Sequence, residues 1–129
     1  MVIGLGVDLV DIARARRMCE LYGDRIFARV CTAGETEYIK SHADGAQHLA
    51  VRLAAKEAAF KALAGTDDAR AIGWKEIEVV GTPGGPPRLV FHGRARSRAG
   101  ELGVTDALVS LSHGDAIAIA VVLLQDSAG

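Results

Sequence analysis

The chain has 129 residues and a formal net charge of −1, and 50% of its residues are hydrophobic. This length predicts a single domain over residues 1–129, with enough apolar side chains for a hydrophobic core. The near-neutral charge argues against a general nucleic-acid-binding protein, which would be basic overall, so no nucleic-acid partner is expected.

The cysteines and the N-terminal residues indicate the cellular setting. Cys19 and Cys31 are too few for a disulfide framework or a metal cluster, and they fit a reducing cytoplasm as small buried residues. The opening MVIGLGVDLV lacks the basic region and cleavage pattern of a signal peptide. No apolar run reaches the roughly 18 residues that span a membrane, so a cytoplasmic protein without a membrane partner is expected.

The first half of the chain is predicted to hold one strand followed by helices. The segments are strand 2–10, helix 12–22, a shorter helix 24–30, a helix opening at 32–40 and a long helix from about 48 to 64, with a loop at 41–47. Asp11 is the expected N-cap of the first helix, and Gly23 its stop. Thr32 or Thr36 could cap the third helix, and Gly65 ends the long one.

The second half is predicted to be mostly strands. After a loop at 66–73 the segments are strand 74–81, turn 82–87, strand 88–93, a short basic helix 94–103 and strands 107–112 and 116–124. The last two strands flank a tight turn at 113–115 and predict a hairpin. The fold class is therefore α+β, with a mainly antiparallel sheet packed against a long alanine-rich helix.

The long helix carries charges where an apolar surface is expected. On a helical wheel its alanines occupy one half, which can pack closely on the sheet. Arg52, Lys56, Glu57 and Lys61 lie among large apolar residues on the other half, which is costly unless each charge is paired or binds something. One interpretation is a surface helix with a Glu57–Lys61 pair worth about 0.3–0.5 kcal/mol. The other is a site with a carboxylate for a metal or proton and cations for an anion.

Asp8 is the second misplaced acid, because it lies inside an apolar strand. It is either a metal ligand or a hydrogen-bonded structural carboxylate. Asp8 and Glu57 together would hold Mg²⁺ only if water and substrate phosphates completed its coordination. Lys61, one turn beyond Glu57, could then contact a phosphate, and Arg52 and Lys56 lie one turn back.

Two further segments could carry function. His113 ends a strand after two serines and is either a turn histidine or a ligand-binding one. The serines lack a Gly-x-Ser-x-Gly elbow, which argues against a serine hydrolase, and no Walker-type phosphate loop is present. Arg14, Arg16 and Arg17 form either a solvated basic face or a docking surface for an acidic partner.

Three blocks of the sequence occur together in one known family. They are GLGVDLVDIAR at 4–14, RLAAKEAAFKAL at 52–63 and VSLSH at 109–113. In this order they resemble holo-[acyl-carrier-protein] synthase, the small bacterial type of 4′-phosphopantetheinyl transferase. The segment CTAGETEY at 31–38 also matches, so the resemblance covers nearly the whole chain.

The resemblance implies one transferase domain that moves the phosphopantetheine arm of coenzyme A (CoA) onto a serine of an apo-acyl carrier protein, releasing 3′,5′-ADP. It implies Mg²⁺ as cofactor, CoA as co-substrate and a homotrimer with active sites between subunits. The carrier protein would serve fatty-acid or polyketide biosynthesis.

The family's motif positions imply roles for individual residues. Asp8 and Glu57 would hold Mg²⁺ against the CoA pyrophosphate, and Lys61 would bind a pyrophosphate oxygen. The implied CoA-binding residues are Arg52, Lys56, Lys61 and His113, of which Arg52 and His113 would contact the 3′-phosphate or nearby parts of the nucleotide. The carrier serine needs a proton acceptor, and Glu57 is the candidate base, directly or through a metal-bound water held by Asp8.

The first helix matches the family's basic docking helix for the acidic carrier protein. Its implied partner-binding residues are Arg14, Arg17, Met18 and Leu21. Two other functions stay open from the residues alone. One is a non-catalytic CoA- or nucleotide-binding scaffold, and the other is a Mg²⁺-dependent phosphohydrolase that uses water in place of serine.

Overall fold

The computed structural model describes residues 1–63, 71–81 and 84–127. Its helices are α1 (Ile12–Tyr22), α2 (Asp24–Val30), α3 (Ala33–Lys40), α4 (Gly45–Leu63) and α5 (Gly93–Leu102). Its strands are β1 (Val2–Asp11), β2 (Ile77–Val80), β3 (Arg88–Phe91), β4 (Asp106–His113) and β5 (Ile117–Gln125), and a 3₁₀ turn at Trp74–Glu76 precedes β2.

The strands form two antiparallel sheets. A three-stranded sheet has the order β1-β5-β4, and β2 and β3 form a two-stranded sheet. In the larger sheet Asp8 of β1 pairs with Ala120 of β5, and Leu111 of β4 pairs with the same alanine from the other side. The predicted α+β class and the C-terminal hairpin are confirmed.

α4 packs on the inner face of the larger sheet with its alanine side toward the strands. Ala54 and Ala58 are fully buried there. A Cβ at Gly6 would overlap the carbonyl oxygen of Ala58, and a Cβ at Gly4 would overlap that of Ala62. β1 and α4 are therefore in main-chain contact, and the predicted close packing of the alanine half is confirmed.

The start of α4 differs from the prediction. The helix begins at Gly45 rather than at about His48, which shortens the predicted loop 41–47. Oδ1 of Asp44 accepts a hydrogen bond of 3.2 Å from the N–H of Gln47. This side-chain cap stabilises the additional turn, because the first N–H groups of a helix lack partners within the helix.

The N-terminal cap of α3 is one of the two that the sequence offered. The hydroxyl of Thr32 accepts from the N–H of Glu35 (3.2 Å), and the carboxylate of Glu35 accepts from the N–H of Thr32 (2.9 Å). This is a complete capping box. Asp11 is the N-cap residue of α1, as predicted, although its side chain makes no cap hydrogen bond.

The predicted strand 74–81 begins three residues late. Its first residues form the 3₁₀ turn Trp74–Glu76, in which Oε1 of Glu76 accepts a hydrogen bond of 2.8 Å from the N–H of Gly73. The predicted strand 88–93 ends at Phe91. These differences shorten the small sheet and bring Trp74 out of a strand into a turn beside α4.

The predicted end of the long helix, most of loop 66–73 and the first part of turn 82–87 lie outside the described residues. Within the described ranges, no helix is long and apolar enough to cross a membrane. Cys31 is buried and Cys19 is half-buried. Burial, together with nearby Glu35, raises the pKa of the Cys31 thiol to about 11, so this thiol is a packing group, as predicted.

Candidate active site

A cleft of about 540 Å³ lies between β1, α1, α2, α4 and the Trp74 turn. Both misplaced acids, Asp8 and Glu57, line it. Its basic lining residues are Arg14, Arg25 and Arg29. Two carboxylates thus face a cleft whose rim is positively charged, which suits a polyanionic ligand held with a metal ion.

Asp8 lies on the face of β1 that packs against α4. Lys61, near the end of that helix, donates to Oδ1 of Asp8 (2.9 Å) and to the carbonyl oxygen of Val7 (3.1 Å). The Asp8 side chain is 18% exposed and the Lys61 side chain 52% exposed. Among the described residues the ammonium has these two acceptors, which leaves one of its three N–H groups for a bound anion at the exposed side of the carboxylate.

Glu57 is partly buried and differs from Asp8 in its partners. Its side chain makes no hydrogen bond or ion pair with any residue that the structure describes. An acid in this position contributes little to the fold itself. Its carboxylate oxygens are free to bind a cation or accept a proton.

The pair of acids fits Mg²⁺, which prefers carboxylate oxygens completed by water and phosphate. Glu57 offers both oxygens, and Asp8 offers the oxygen that Lys61 does not use. Among the described residues, no group of three or more His, Cys, Asp or Glu side chains could hold a metal by itself. The protein therefore supplies two ligands, and a phosphate-bearing substrate would have to supply others.

Lys56 is not a free cation. Its side chain is 1% exposed, and its ammonium donates to Oε1 of Glu35 (2.8 Å) and to the carbonyl oxygens of Trp74 (2.9 Å) and Ile77 (2.5 Å). All three N–H donors are thus used inside the protein. The prediction that Lys56 binds CoA is corrected: its charge is paired in the core.

Arg52 and His113 lie in a second polar cluster, beside α3 and the first turns of α4. The guanidinium of Arg52 stacks over the ring of Tyr38 at 4.3 Å and donates to the carbonyl oxygen of His48 (3.4 Å). Nε2 of His113 is 2.6 Å from Nε2 of Gln47. Neither Arg52 nor His113 lines the Asp8 cleft. The structure thus places the residues predicted to bind CoA and Mg²⁺ in two separate regions.

Burial affects the charges of the second cluster. It lowers the pKa of Arg52, and it lowers the pKa of His48, to which neighbouring His42 and Arg52 add repulsion. Nε of Arg52 is buried and has no hydrogen-bond partner among the described residues. Arg52 thus gives the cluster a positive charge, and its buried Nε–H is a donor that no described residue uses.

The predicted docking residues are divided in the same way. Arg14 and Met18 line the cleft, whereas Arg17 and Leu21 lie on the exposed surface of α1 outside it. Sequence reasoning missed other lining residues of the cleft. They are Tyr22, Arg25, Arg29 and Trp74. The i,i+4 spacing of Arg25 and Arg29 on one short helix was the available signal.

Comparison with known proteins gives a consistent result. The sequence model of the 4′-phosphopantetheinyl transferase superfamily matches residues 4–122. A holo-[acyl-carrier-protein] synthase of Koribacter versatilis is 40% identical over 126 residues, which is 98% of this chain and 100% of that protein.

Two solved structures show the same fold. A holo-(acyl-carrier-protein) synthase from Bacillus anthracis, in complex with CoA (3′,5′-ADP), superposes with a TM-score of 0.78 at 28% identity and covers 98% of this chain and 99% of its own. The holo-[acyl-carrier-protein] synthase from Neisseria meningitidis reaches a TM-score of 0.84 at 23% identity, with coverage of 98% and 100%.

The matching segment includes all three sequence blocks and both acids of the cleft. The identity to the Koribacter protein extends over almost the full length of both chains. The chain therefore belongs to the 4′-phosphopantetheinyl transferase superfamily and, within it, groups with the holo-[acyl-carrier-protein] synthases.

Proposed function

We propose that the chain, as one domain over 1–129, transfers the 4′-phosphopantetheine arm of CoA to a serine of an apo-acyl carrier protein and releases 3′,5′-ADP. The observation that carries this proposal is that Asp8 and Glu57 line one cleft with an arginine rim, and that Lys61 is bound to Asp8. The expected setting is cytoplasmic fatty-acid or polyketide biosynthesis.

Charge neutralisation is the main chemical demand of this reaction. The CoA pyrophosphate is multiply anionic, and charge develops on the leaving group as the bond to phosphorus breaks. Asp8 and Glu57 would hold Mg²⁺, which when bound offsets charge on the pyrophosphate oxygens. Lys61 would place the N–H that no described residue accepts on one of these oxygens, while its contacts to Asp8 and Val7 keep it in position.

The second demand is a proton acceptor for the carrier serine, whose hydroxyl is a poor nucleophile. Glu57 lines the cleft and has no partner among the described residues, so it can take this proton. Asp8 is less suited, because Lys61 already occupies one of its oxygens. We therefore assign the base to Glu57, either directly or through an intervening water.

The 3′-phosphate of CoA would bind at Arg52 and His113. Because neither residue lines the Asp8 cleft, we propose that one CoA bridges two subunits. Its nucleotide end would lie on the second cluster of one subunit and its pyrophosphate in the cleft of the next. A closed ring of three subunits would then contain three equivalent composite sites.

The outer face of the larger sheet supports this assembly. It carries exposed apolar side chains on all three strands, and Val7 of β1 pairs directly with Val121 of β5. The exposed side chains are Leu5, Val7, Leu9, Ile117, Val121 and Leu108. An apolar surface of this kind on a sheet face favours burial against another copy of the chain over exposure to water.

The arginine rim would bind the carrier protein. Arg14 and Met18 at the cleft, with Arg17 and Leu21 on the adjoining surface of α1, present cations beside apolar side chains. An acidic helix would be attracted by the cations and held by the apolar contacts. Arg25 and Arg29 extend the same positive surface along α2.

Intact mass spectrometry of an apo-acyl carrier protein tests the proposal. The carrier is incubated with this chain, CoA and Mg²⁺, and a parallel sample contains EDTA. A gain equal to one phosphopantetheine arm that disappears with EDTA is expected. No gain on fatty-acid, polyketide or peptide carriers would refute transfer, and release of 3′,5′-ADP without a carrier would indicate a phosphohydrolase instead.

A further inference from the structure

A buried carboxylate of α3 joins three parts of the fold. Oε1 of Glu35 accepts from the ammonium of Lys56 (2.8 Å) and from the N–H of Thr32 (2.9 Å). Its Oε2 accepts from the N–H of Val79 in β2 (3.0 Å). The side chain is fully buried, and both of its oxygens accept hydrogen bonds within the protein, as buried polar groups generally do.

Lys56 extends this network to the wall of the cleft. Besides Glu35, its ammonium binds the carbonyl oxygens of Trp74 and Ile77, which lie at the two ends of one short segment. Lys56 also precedes Glu57 in the helix. The pair Glu35–Lys56 therefore ties the main chain at Trp74 directly to the turn of α4 that carries the candidate base.

Trp74 is placed to transmit this constraint to the active site. It lines the Asp8 cleft together with Glu57. It also lines a second cavity of about 230 Å³ between α4 and the segment around Trp74, and Glu57 lines that cavity too. The two residues form the shared wall of both cavities, so a shift of the Trp74 main chain would change the shape of the cleft beside Glu57.

Stability alone does not account for such a pair. Desolvation of two charges offsets much of their attraction, and buried ion pairs can often be replaced by apolar residues without loss of stability. What an apolar pair cannot reproduce is the set of directed hydrogen bonds to the Trp74 and Ile77 carbonyls. The fixed geometry of the wall is therefore the property that depends on Lys56.

We propose that Glu35 and Lys56 are positioning residues, which act through Trp74 to set the shape of the cleft beside Glu57. The effect of this positioning on catalysis rests on the proposed transferase function. Neither side chain touches substrate.

The test uses the double variant Glu35→Leu/Lys56→Met, which removes both charges at similar volume, with Lys56→Met alone and the exposed-site control Lys75→Met. Trp74 is the only tryptophan in the chain, so its fluorescence reports on the wall directly. We expect the double variant to melt cooperatively but below the wild-type temperature, because the N–H groups of Thr32 and Val79 lose their acceptor. The Trp74 fluorescence should be red-shifted and more readily quenched by acrylamide. The value of kcat should fall between about tenfold and about a hundredfold, the order expected when catalytic groups are displaced by about 1 Å. Lys75→Met should match the wild type in all four measurements.

A folded double variant with wild-type emission, quenching and kcat would overturn the proposal. An unfolded double variant would also overturn it, because the pair would then be a requirement for folding. If Lys56→Met alone fails to fold, the unpaired buried Glu35 explains that result and the double variant decides. The fluorescence measurements need no substrate, so a wild-type protein without transferase activity would refute the proposed function and leave this test intact.

Discussion

Lys61 donates a hydrogen bond of 2.9 Å to Asp8, which lies 53 positions earlier in the chain. The bond joins the end of α4 to the middle of β1 and holds a cation next to a candidate metal ligand. Because Asp8 lines the cleft and the Lys61 side chain bound to it is half exposed, the pair can serve a substrate and not only the fold.

Replacement of Lys61 by methionine should lower kcat by about a hundredfold, since one charge-stabilising donor in a preorganised site is worth that order. The fold should persist, because the lysine is half exposed. Lys61→Arg should retain part of the activity, since it keeps the charge. Steady-state kinetics measure kcat of the two Lys61 variants, with Lys40→Met as an exposed control. A wild-type kcat in Lys61→Met would contradict the assigned role.

Glu57→Gln should leave folding intact and lower turnover by about a hundredfold or more. The fold loses no hydrogen bond or ion pair that the described residues make. The variant should also need more Mg²⁺ for half-maximal activity, because the amide is a weaker ligand. Turnover, a Mg²⁺ titration and a thermal melt check this, with Glu101→Gln as control; near-normal turnover would refute the assignment.

The composite site predicts recovery of activity in mixed oligomers. His113→Ala should raise KM for CoA, and Glu57→Gln should lower kcat. In the composite site these two residues come from neighbouring subunits, so each variant damages a different half of the site. Co-expression of the two variants should restore intact sites at about a quarter of the interfaces of a cyclic assembly. Activity at low CoA is measured against each variant alone.

The control for this recovery is a third substitution on the sheet. Val121→Glu puts a charge on the exposed apolar face of β5, and it should lower the mass seen by light scattering and abolish the recovery. Mixed oligomers no more active than the separate variants would place both groups in sites within one subunit.

Reversal of charge on α1 should affect the carrier protein more than CoA. Arg14→Glu and Arg17→Glu should raise KM for the carrier and flatten its dependence on salt, because rim charges mainly steer association. Arg96→Glu on α5 is the matched control and should change neither. An unaltered carrier KM in Arg14→Glu would remove α1 from the docking surface.

Glu78 predicts an acid-dependent loss of stability. A hydrogen bond from the Thr32 hydroxyl (2.6 Å) lowers the pKa of Glu78 below its ordinary 4.5, burial opposes this shift, and His92 adds to it. A carboxyl with a depressed folded pKa stabilises fully above its unfolded pKa and loses that contribution as pH falls through the folded value.

The melting temperature of the wild type should therefore fall more steeply below pH 4.5 than that of Glu78→Gln. The two proteins should differ most above that pH, where Glu78 is charged in both folded and unfolded chains. Melts between pH 7 and pH 3 measure the slope, and Glu37→Gln on the exposed side of α3 should run parallel to the wild type. Parallel curves for Glu78→Gln would show that the contact has no net effect on stability.

Site residues could be predicted from the sequence where a charged residue interrupts an apolar pattern. Asp8 in an apolar strand and Glu57 on an apolar helix face both stood out, and the structure places both in one cleft. The same reasoning misjudged Lys56, because the wheel shows that a charge is among apolar groups but not what pairs with it. Its partner Glu35 is 21 positions away, and only the packing of α3 on α4 brings them together.

Boundaries and rim residues were harder to predict for a related reason. Asp44 extends α4 by a side-chain cap, and Gly73 with Glu76 turns the start of a strand into a 3₁₀ turn. Each is a local hydrogen bond that competes with the periodic pattern. Trp74 entered the cleft only because that turn redirects it, which no periodicity would indicate.

The main-chain contact between β1 and α4 has a consequence for how this chain tolerates change. Gly4 and Gly6 bring the strand against the carbonyls of Ala62 and Ala58, and Asp8 follows two residues later on the same face. The separation of Asp8 from α4 is therefore fixed by backbone atoms, which cannot adopt another rotamer. Substitutions elsewhere in the core can lower stability without changing that separation, whereas a single methyl group at Gly6 would force strand and helix apart and alter the site even in molecules that remain folded.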